Sequence, residues 1–384
     1  MRPTFNSTNL RMVGPWPPSK GVSLYCYHLA TALGRLAPLE FTAFSELYPA
    51  RLYPGRTTEM DTFEANVPKD ARLRIAREIS YREPASWMKP GLRPSGILHL
   101  HWWTPYLSFI YTPMMRLAKR RSTGLILTLH NVLPHESSEI DKLATHLVAS
   151  QTSRFIVHSE RNKTQAKDAL GIGDERIRVI PHGPLTILTR WTVPREEARK
   201  TLRIPEGKKV LLFFGNLRGY KGFRTLLEAT RIATKQVNNL LLLIAGEVWK
   251  GQESLLKMPQ HLKKILRVYP RFVPTERTAI FFQAADLVVV PYTRFRGQSG
   301  VAAAAHAFGK PLIVTDVGGL PKMVRDRDAV ARARDPRDLA DRICRIIGDE
   351  DTLKKLAKDS SILASRFSWI DIARTTLRIY ESLS

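Results

Sequence analysis

Short apolar runs of strand length recur along this chain: Ile97 to Leu100, Leu125 to Leu129, Arg154 to Val157, Val210 to Phe214, Leu240 to Ala245, Leu287 to Pro291 and Pro311 to Thr315. Between them lie stretches with helical spacing, among them Tyr25 to Leu36, Phe223 to Lys235 and Gly300 to Phe308. Strands this apolar are buried on both faces, which requires helices above and below a parallel sheet. The predicted class is therefore α/β. With 384 residues the chain is long enough for two ordinary domains. The alternation breaks at Pro181 to Pro194, with prolines at 181, 184 and 194, and the boundary is placed there.

The 60 Lys and Arg residues against 35 Asp and Glu give a net charge of +25, which points to an anionic partner. Nucleotide phosphates, acidic lipid headgroups and nucleic acid all satisfy that. No zinc-finger spacing or RNA-binding signature occurs, which sets nucleic acid last. Cys26 and Cys344 are the only cysteines, so neither a disulfide framework nor a cysteine zinc site is indicated. No apolar stretch has the length of a membrane span or of a secretory leader's core. The expected setting is a reducing cytoplasm, with any membrane contact made from its inner face. Two basic stretches suit such contact, Ala71 to Lys89 and Phe109 to Arg121, with apolar residues down and cations toward headgroups. A packed helix with a solvated basic end explains them equally well.

Two motifs carry chemistry. In VLLFFGNLRGYKGFRTLLEAT (Val210 to Thr230), a buried strand runs into a glycine turn, two cations and an amphipathic helix. Gly215 and Gly219 let the backbone approach a ligand, while Arg218 and Lys221 add charge where a helix N-terminus already favours anions. Gly215, Asn216, Arg218 and Lys221 are the expected contacts for a diphosphate. In QSGVAAAAHAFGKPLIVTDVGGLPK (Gln298 to Lys322), the amides of Ser299, Gly300 and Val301 open a small-residue helix toward a second phosphate, with Gln298 beside them. His130 ends the run LILTLH, at the edge where parallel sheets bind ligands. His135 and Glu136 follow closely and either could act as an acceptor base. His99 and His101 share a strand face in HLHWW, but with no third ligand in view no metal site is predicted.

The two motifs, about 80 residues apart and in this order, resemble the donor half of a GT-B glycosyltransferase of family 4. Pro17-Pro18-Ser19-Lys20-Gly21-Val22 resembles that family's first glycine loop, with Gly21 as a binding position, and LTLHNVLPH its strand-end histidine region. Pro181-His182-Gly183 resembles its interdomain motif. The resemblance implies two Rossmann-like domains facing across a cleft. Residues 1–183 would bind the acceptor and 184–366 the nucleotide sugar, with a helix over 367–384 packing back toward the first domain. It further implies transfer of a sugar from a UDP- or GDP-linked donor to a hydroxyl of a glycan or lipid-linked acceptor, with retained configuration. His130 would face the sugar, and Arg218 and Lys221 would do the work that a metal does elsewhere, so neither a metal ion nor a further cofactor is expected.

The chain departs from that pattern at the carboxylates. Where the family commonly has two glutamates in the donor loop, this sequence has Arg296 and Ala304. Lys322 replaces a third, and Lys20 stands where a second glycine is usual. Gln298 and Ser299 can substitute as neutral hydrogen-bonding groups. The losses keep open an alternative, a partner protein that binds nucleotide or glycan without catalysis.

Overall fold

The computed structural model describes residues 10–19, 22–47, 61, 63–133, 138–257, 260–295, 297 and 299–383. Gly21 and Gln298, with Lys20, His135, Glu136 and Arg296, lie outside the described residues.

The first half runs β1 (Leu10–Gly14), α1 (Ser23–Leu36), β2 (Leu39–Glu46), β3 (Leu73–Ser80), α2 (Pro84–Leu92), β4 (Ile97–Trp102), α3 (Ser108–Lys119), β5 (Gly124–Leu129), α4 (Glu139–Ala149), β6 (Arg154–Val157), α5 (Glu160–Leu170) and β7 (Ile177–Val179). Its parallel sheet has the order β3-β2-β1-β4-β5-β6-β7. The second half runs α6 (Arg195–Thr201), β8 (Lys209–Phe214), α7 (Phe223–Ala233), β9 (Leu240–Ala245), β10 (Leu266–Tyr269), α8 (Thr275–Ala284), β11 (Leu287–Val290), α9 (Gly300–Ala307), β12 (Leu312–Thr315), β13 (Val330–Ala331), α10 (Pro336–Gly348), α11 (Glu350–Arg366) and α12 (Trp369–Glu381). Its sheet has the order β10-β9-β8-β11-β12-β13, again parallel throughout. Each sheet is therefore doubly wound, and strand order reverses between β1 and β4 and between β8 and β11. Ligands bind outside the carboxyl ends of such sheets at that reversal.

Every apolar run named from the sequence is a strand, because each is sealed on both faces. The stretch Ala71 to Lys89 is not one helix. It is the edge strand β3, with Leu73, Ile75 and Ile79 on alternate positions, followed by α2. In α3, Ile110, Tyr111, Met114, Met115 and Ala118 are buried against the sheet, so the apolar side of Phe109 to Arg121 faces the core.

The halves are joined by a continuous apolar cluster that passes through Ile180, Leu185, Ile187 and Trp369. After α11 the chain crosses back, and α12 lies against α1. Trp369 donates from Nε1 to the Pro184 carbonyl at 2.7 Å and stacks on His28 with ring centroids 5.0 Å apart. Gly183 makes room for it, since a Cβ there would come within 2.6 Å of the indole. Further along α12, the Tyr380 hydroxyl meets His99 Nδ1 at 2.7 Å. Trp369→Ala would remove the indole from this junction, and a loss of about 3–5 kcal/mol is expected. A fall in the urea midpoint checks it.

Candidate active-site cleft

The carboxyl ends of both sheets open into a cleft of about 810 Å³ between the halves. Ser19, Ser23, Trp103 and Tyr106 line it from the first half, and Asn216, Arg218, Trp249 and Thr275 from the second. Asp61 ties its two walls by accepting from the Thr275 amide at 2.9 Å and from the Thr275 hydroxyl.

The second half supplies the charge. β8 ends at Phe214, and Gly215 takes φ +92°, a left-handed conformation that favours glycine. A Cβ on Gly215 would lie 2.9 Å from Lys221 Nζ and 3.6 Å from Val301 Cγ2, so three of the sequence-derived positions converge here. Arg218 lies over the Trp249 ring at 3.9 Å and the Tyr220 ring at 4.8 Å, held by cation–π contact with its guanidinium in the cleft. Lys221 is buried, with Nζ 5.6 Å from the centre of the Tyr292 ring. Burial first, and the Arg218 charge second, lower the Lys221 pKa to about 7. Neither cation has a carboxylate partner among the described residues. Two like charges held together without a counterion make a site for an anion.

Ser299 caps α9, accepting from the Ala302 amide at 3.3 Å, and its hydroxyl is 3.3 Å from that of Tyr292. Gly300 is exposed, with open space where a side chain would project. The first-turn amides of Gly300 and Val301 have no acceptor within the helix and point outward from its N-terminus. Ala304 is buried in α9 and Lys322 is exposed, so neither position puts a carboxylate in the cleft.

The first half supplies neutral rings. His101 Nδ1 meets His130 Nε2 at 3.1 Å, His130 Nδ1 meets His158 Nε2 at 3.2 Å, and His158 Nδ1 meets the Ile180 carbonyl at 2.9 Å. A carbonyl only accepts, so His158 carries its proton on Nδ1, and its Nε2 must accept from His130. The same step repeated puts the proton on Nδ1 of all three rings. Burial lowers the pKa of His158 to about 3 and those of His101 and His130 well below the usual value, with neighbouring histidines adding to the shift. Tyr25 packs edge-on against His130 at 4.7 Å. Both His130 ring nitrogens are thus engaged by other histidines, while its carbonyl lies close to Gly297 of the second half. A Cβ on Gly297 would lie 3.2 Å from that carbonyl oxygen and 3.0 Å from Asn131 Oδ1.

His99 is paired with Tyr380 and Thr128, and no group of three or more metal-ligating side chains is arranged to hold an ion among the described residues. Reading the sequence did not single out Trp249, Tyr292 or Glu247. Glu247 is buried, and its carbonyl accepts from the Leu217 amide at 2.7 Å. The signal that could have found it is Gly246, a glycine closing a buried strand as Gly215 does.

Comparison with known proteins assigns the two halves separately. The profile described as Glycosyltransferase Family 4 matches residues 19–184, and that described as Glycosyl transferases group 1 matches residues 194–361. A D-inositol 3-phosphate glycosyltransferase of Nocardia farcinica is 28% identical over 248 residues, which are 61% of this chain and 54% of that protein. The enzyme of the same name from Nocardioides is 33% identical over 205 residues, 49% and 44% of the two chains. The match therefore spans about half the length of these curated relatives. Among solved structures, sucrose-phosphate synthase from Thermosynechococcus elongatus superposes with a TM-score of 0.74 at 18% identity, covering 98% of this chain and 99% of that one. Anabaena HepE in complex with UDP and glucose gives 0.74 at 16%, covering 98% and 100%. These likenesses show the GT-B fold.

Two outcomes follow from the charges. A lysine whose folded pKa is depressed opposes folding most while it is charged, below about pH 7, and less as pH rises toward its unfolded value. Lys221→Met is therefore expected to raise the melting temperature at pH 6, with the gain shrinking by pH 10. The buried histidines act in the same direction at lower pH. His28, His99 and His158 are held near 3 and His182 near 4. The unfolded chain takes up protons first, so stability should fall as pH drops below about 6.5, by up to about 1.4 kcal/mol per pH unit for each histidine. Urea titrations between pH 7 and pH 4 check this.

Proposed function

We propose that this chain, a glycosyltransferase by its matches to the family 4 and group 1 models, moves a sugar from a nucleoside-diphosphate sugar to a hydroxyl acceptor. The observation that carries the proposal is the convergence of Arg218, Lys221 and the Gly215 turn opposite the open N-terminus of α9. Two uncompensated cations and a set of outward amides fit a diphosphate, and the aromatic faces of Trp249 and Tyr292 fix the cations in place.

In the proposed reaction, the acceptor oxygen forms a bond to the anomeric carbon as the bond from that carbon to the diphosphate oxygen breaks. The acceptor proton passes to the departing phosphate, and configuration is retained. Arg218 and Lys221 stabilise the charge that develops on the leaving group, so the reaction runs without a metal ion. Charge on Lys221 is needed for this, and an incoming diphosphate raises its pKa again. His130 acts from the acceptor side only as a neutral ring, since both its nitrogens are held by His101 and His158. The donor carries UDP or GDP, and the acceptor is a glycan or a lipid-linked sugar. Free Cys26 and Cys344 suit a cytoplasmic setting.

The test is calorimetric binding of UDP, GDP, ADP and their sugar conjugates, with EDTA and again with Mg²⁺, followed by transfer assays with the donors that bind. Inositol phosphate, the acceptor class in the relatives' names, heads the soluble acceptor panel. Arg218→Ala and Lys221→Ala should each lower kcat by about 10²–10³, with the urea midpoint of Arg218→Ala near that of the wild type. Unchanged turnover in both variants would remove the assignment. Nucleotide binding without transfer or donor hydrolysis across the panel would establish the non-catalytic alternative instead.

A further inference from the structure

Helices α2, α3 and α4 pack side by side over one face of the first sheet, with Gly91 of α2 set directly against Met114 and Leu117 of α3. Among the described residues, Met88, Leu92, Phe109, Ile140, Leu143 and Leu147 are exposed large apolar side chains, and all six belong to this layer. Ile362 on α11 is the only other. Ile140 is 78% exposed, Leu143 71% and Phe109 68%, in an arrangement that helix-period packing would ordinarily bury. On α4 the exposed Ile140, Leu143 and Leu147 follow the i, i+3, i+7 spacing of one helix face.

The same layer exposes Lys89, Arg116, Lys119, Arg120 and Arg121, none with a carboxylate partner among the described residues. A protein interface core excludes such solvated cations from its centre, whereas a bilayer surface accepts both kinds of side chain at once. Apolar groups enter the acyl boundary and long cations reach the headgroup phosphates. No helix among the described residues is long and apolar enough to cross a membrane, so contact of this layer would be along its surface. The patch is also continuous with the cleft, because Phe109 and Ile140 stand at its mouth beside Trp103 and Tyr106.

We infer that the α2–α3–α4 layer docks on an anionic lipid bilayer, with the mouth of the cleft turned toward it. This differs from the two basic stretches read from the sequence: the buried apolar side of α3 takes no part, and α4, which neither stretch includes, provides most of the apolar contact. Docking does not depend on the transfer reading. Where both hold, a lipid-borne acceptor would reach the cleft between Phe109 and Ile140 without leaving the membrane.

The experiment is co-sedimentation of the full chain with phosphatidylcholine vesicles, with and without phosphatidylglycerol, at low and high salt. The wild type should sediment with the anionic vesicles and be released by salt. Leu143→Asp/Leu147→Asp and Arg116→Glu/Arg120→Glu should each weaken binding by about tenfold or more, while Ile362→Asp should not. All these side chains are exposed, so the urea midpoint serves as a control for folding. Failure of the wild type to bind, or equal binding by the variants, overturns the inference. So does a dimer in sedimentation velocity that the Leu143→Asp/Leu147→Asp variant dissolves, which would assign the face to a second copy of the chain. UDP-glucose binding, followed in parallel, reports only on the donor site, so vesicle binding without nucleotide binding would count against the transfer reading alone.

Discussion

Lys221 and Arg218, close enough to repel and with no carboxylate partner among the described residues, set the terms for the rest of the site. Repulsion between the two, added to burial, brings Lys221 close to neutrality at physiological pH. An ion pair would relieve that cost and would also close the site to an anion. The surrounding residues keep the cations in place by other means. Arg218 rests on Trp249 and Tyr220, Lys221 faces Tyr292, and the Gly215 backbone comes close because no side chain intervenes. Ring faces attract a cation without neutralising it. Under the transfer reading, a bound diphosphate would supply the counter-charge that the protein withholds.

The opposite wall is built on the contrary principle. Where the second half carries Arg218 and Lys221 without a carboxylate partner among the described residues, the first half carries a set of buried neutral imidazoles. His101, His130 and His158 form a relay whose proton positions all follow from one carbonyl, that of Ile180. Protonating any member would place a charge among buried rings, and protonating His130 or His158 would also break a hydrogen bond in the chain. The two halves therefore differ in charge, with cations beside the Gly215 turn and neutral rings at the ends of the first sheet's strands. Tyr25 packs against all three members and the neighbouring His182, and Trp369 packs against Tyr25 and His182, so the junction between the halves and the histidine chain share one core.

The phosphate side was legible in the sequence because its parts are local. A buried strand, a glycine, two cations and a helix follow one another within Val210 to Thr230, and the same logic reads β11 through α9. The doubly wound class was legible too, since runs such as Leu240–Ala245 are too apolar for any exposed face. β3 was not, because an edge strand mixes Arg74, Arg77 and Glu78 with its apolar positions and resembles a basic helix. Nor was the relay. Its members end separate strands some 28 or 29 positions apart, and only the parallel register of β4, β5 and β6 lines them up. The exposed face of α4 was hidden for a related reason: a helix's spacing reveals that it has an apolar side, but not whether that side meets the sheet or the solvent.

The missing glutamates can now be weighed against what surrounds them. Ala304 sits in α9, which approaches the hinge closely enough for the Leu185 amide to reach the Ala303 carbonyl at 3.4 Å. Small side chains permit that approach, so the alanine run serves packing as well as omitting an acid. Hydrogen bonds to a charged acceptor contribute about 1.5–3 kcal/mol, those between neutral groups about 0.5–1.5. Replacing two carboxylates by groups such as Ser299 and Tyr292 therefore weakens the hold on ribose and sugar by a few kcal/mol at most. Under the transfer reading, affinity then rests on the diphosphate, which all nucleotide sugars share. Discrimination among them falls to the shape of the cleft and to neutral contacts, which bind less strongly but distinguish position as sharply.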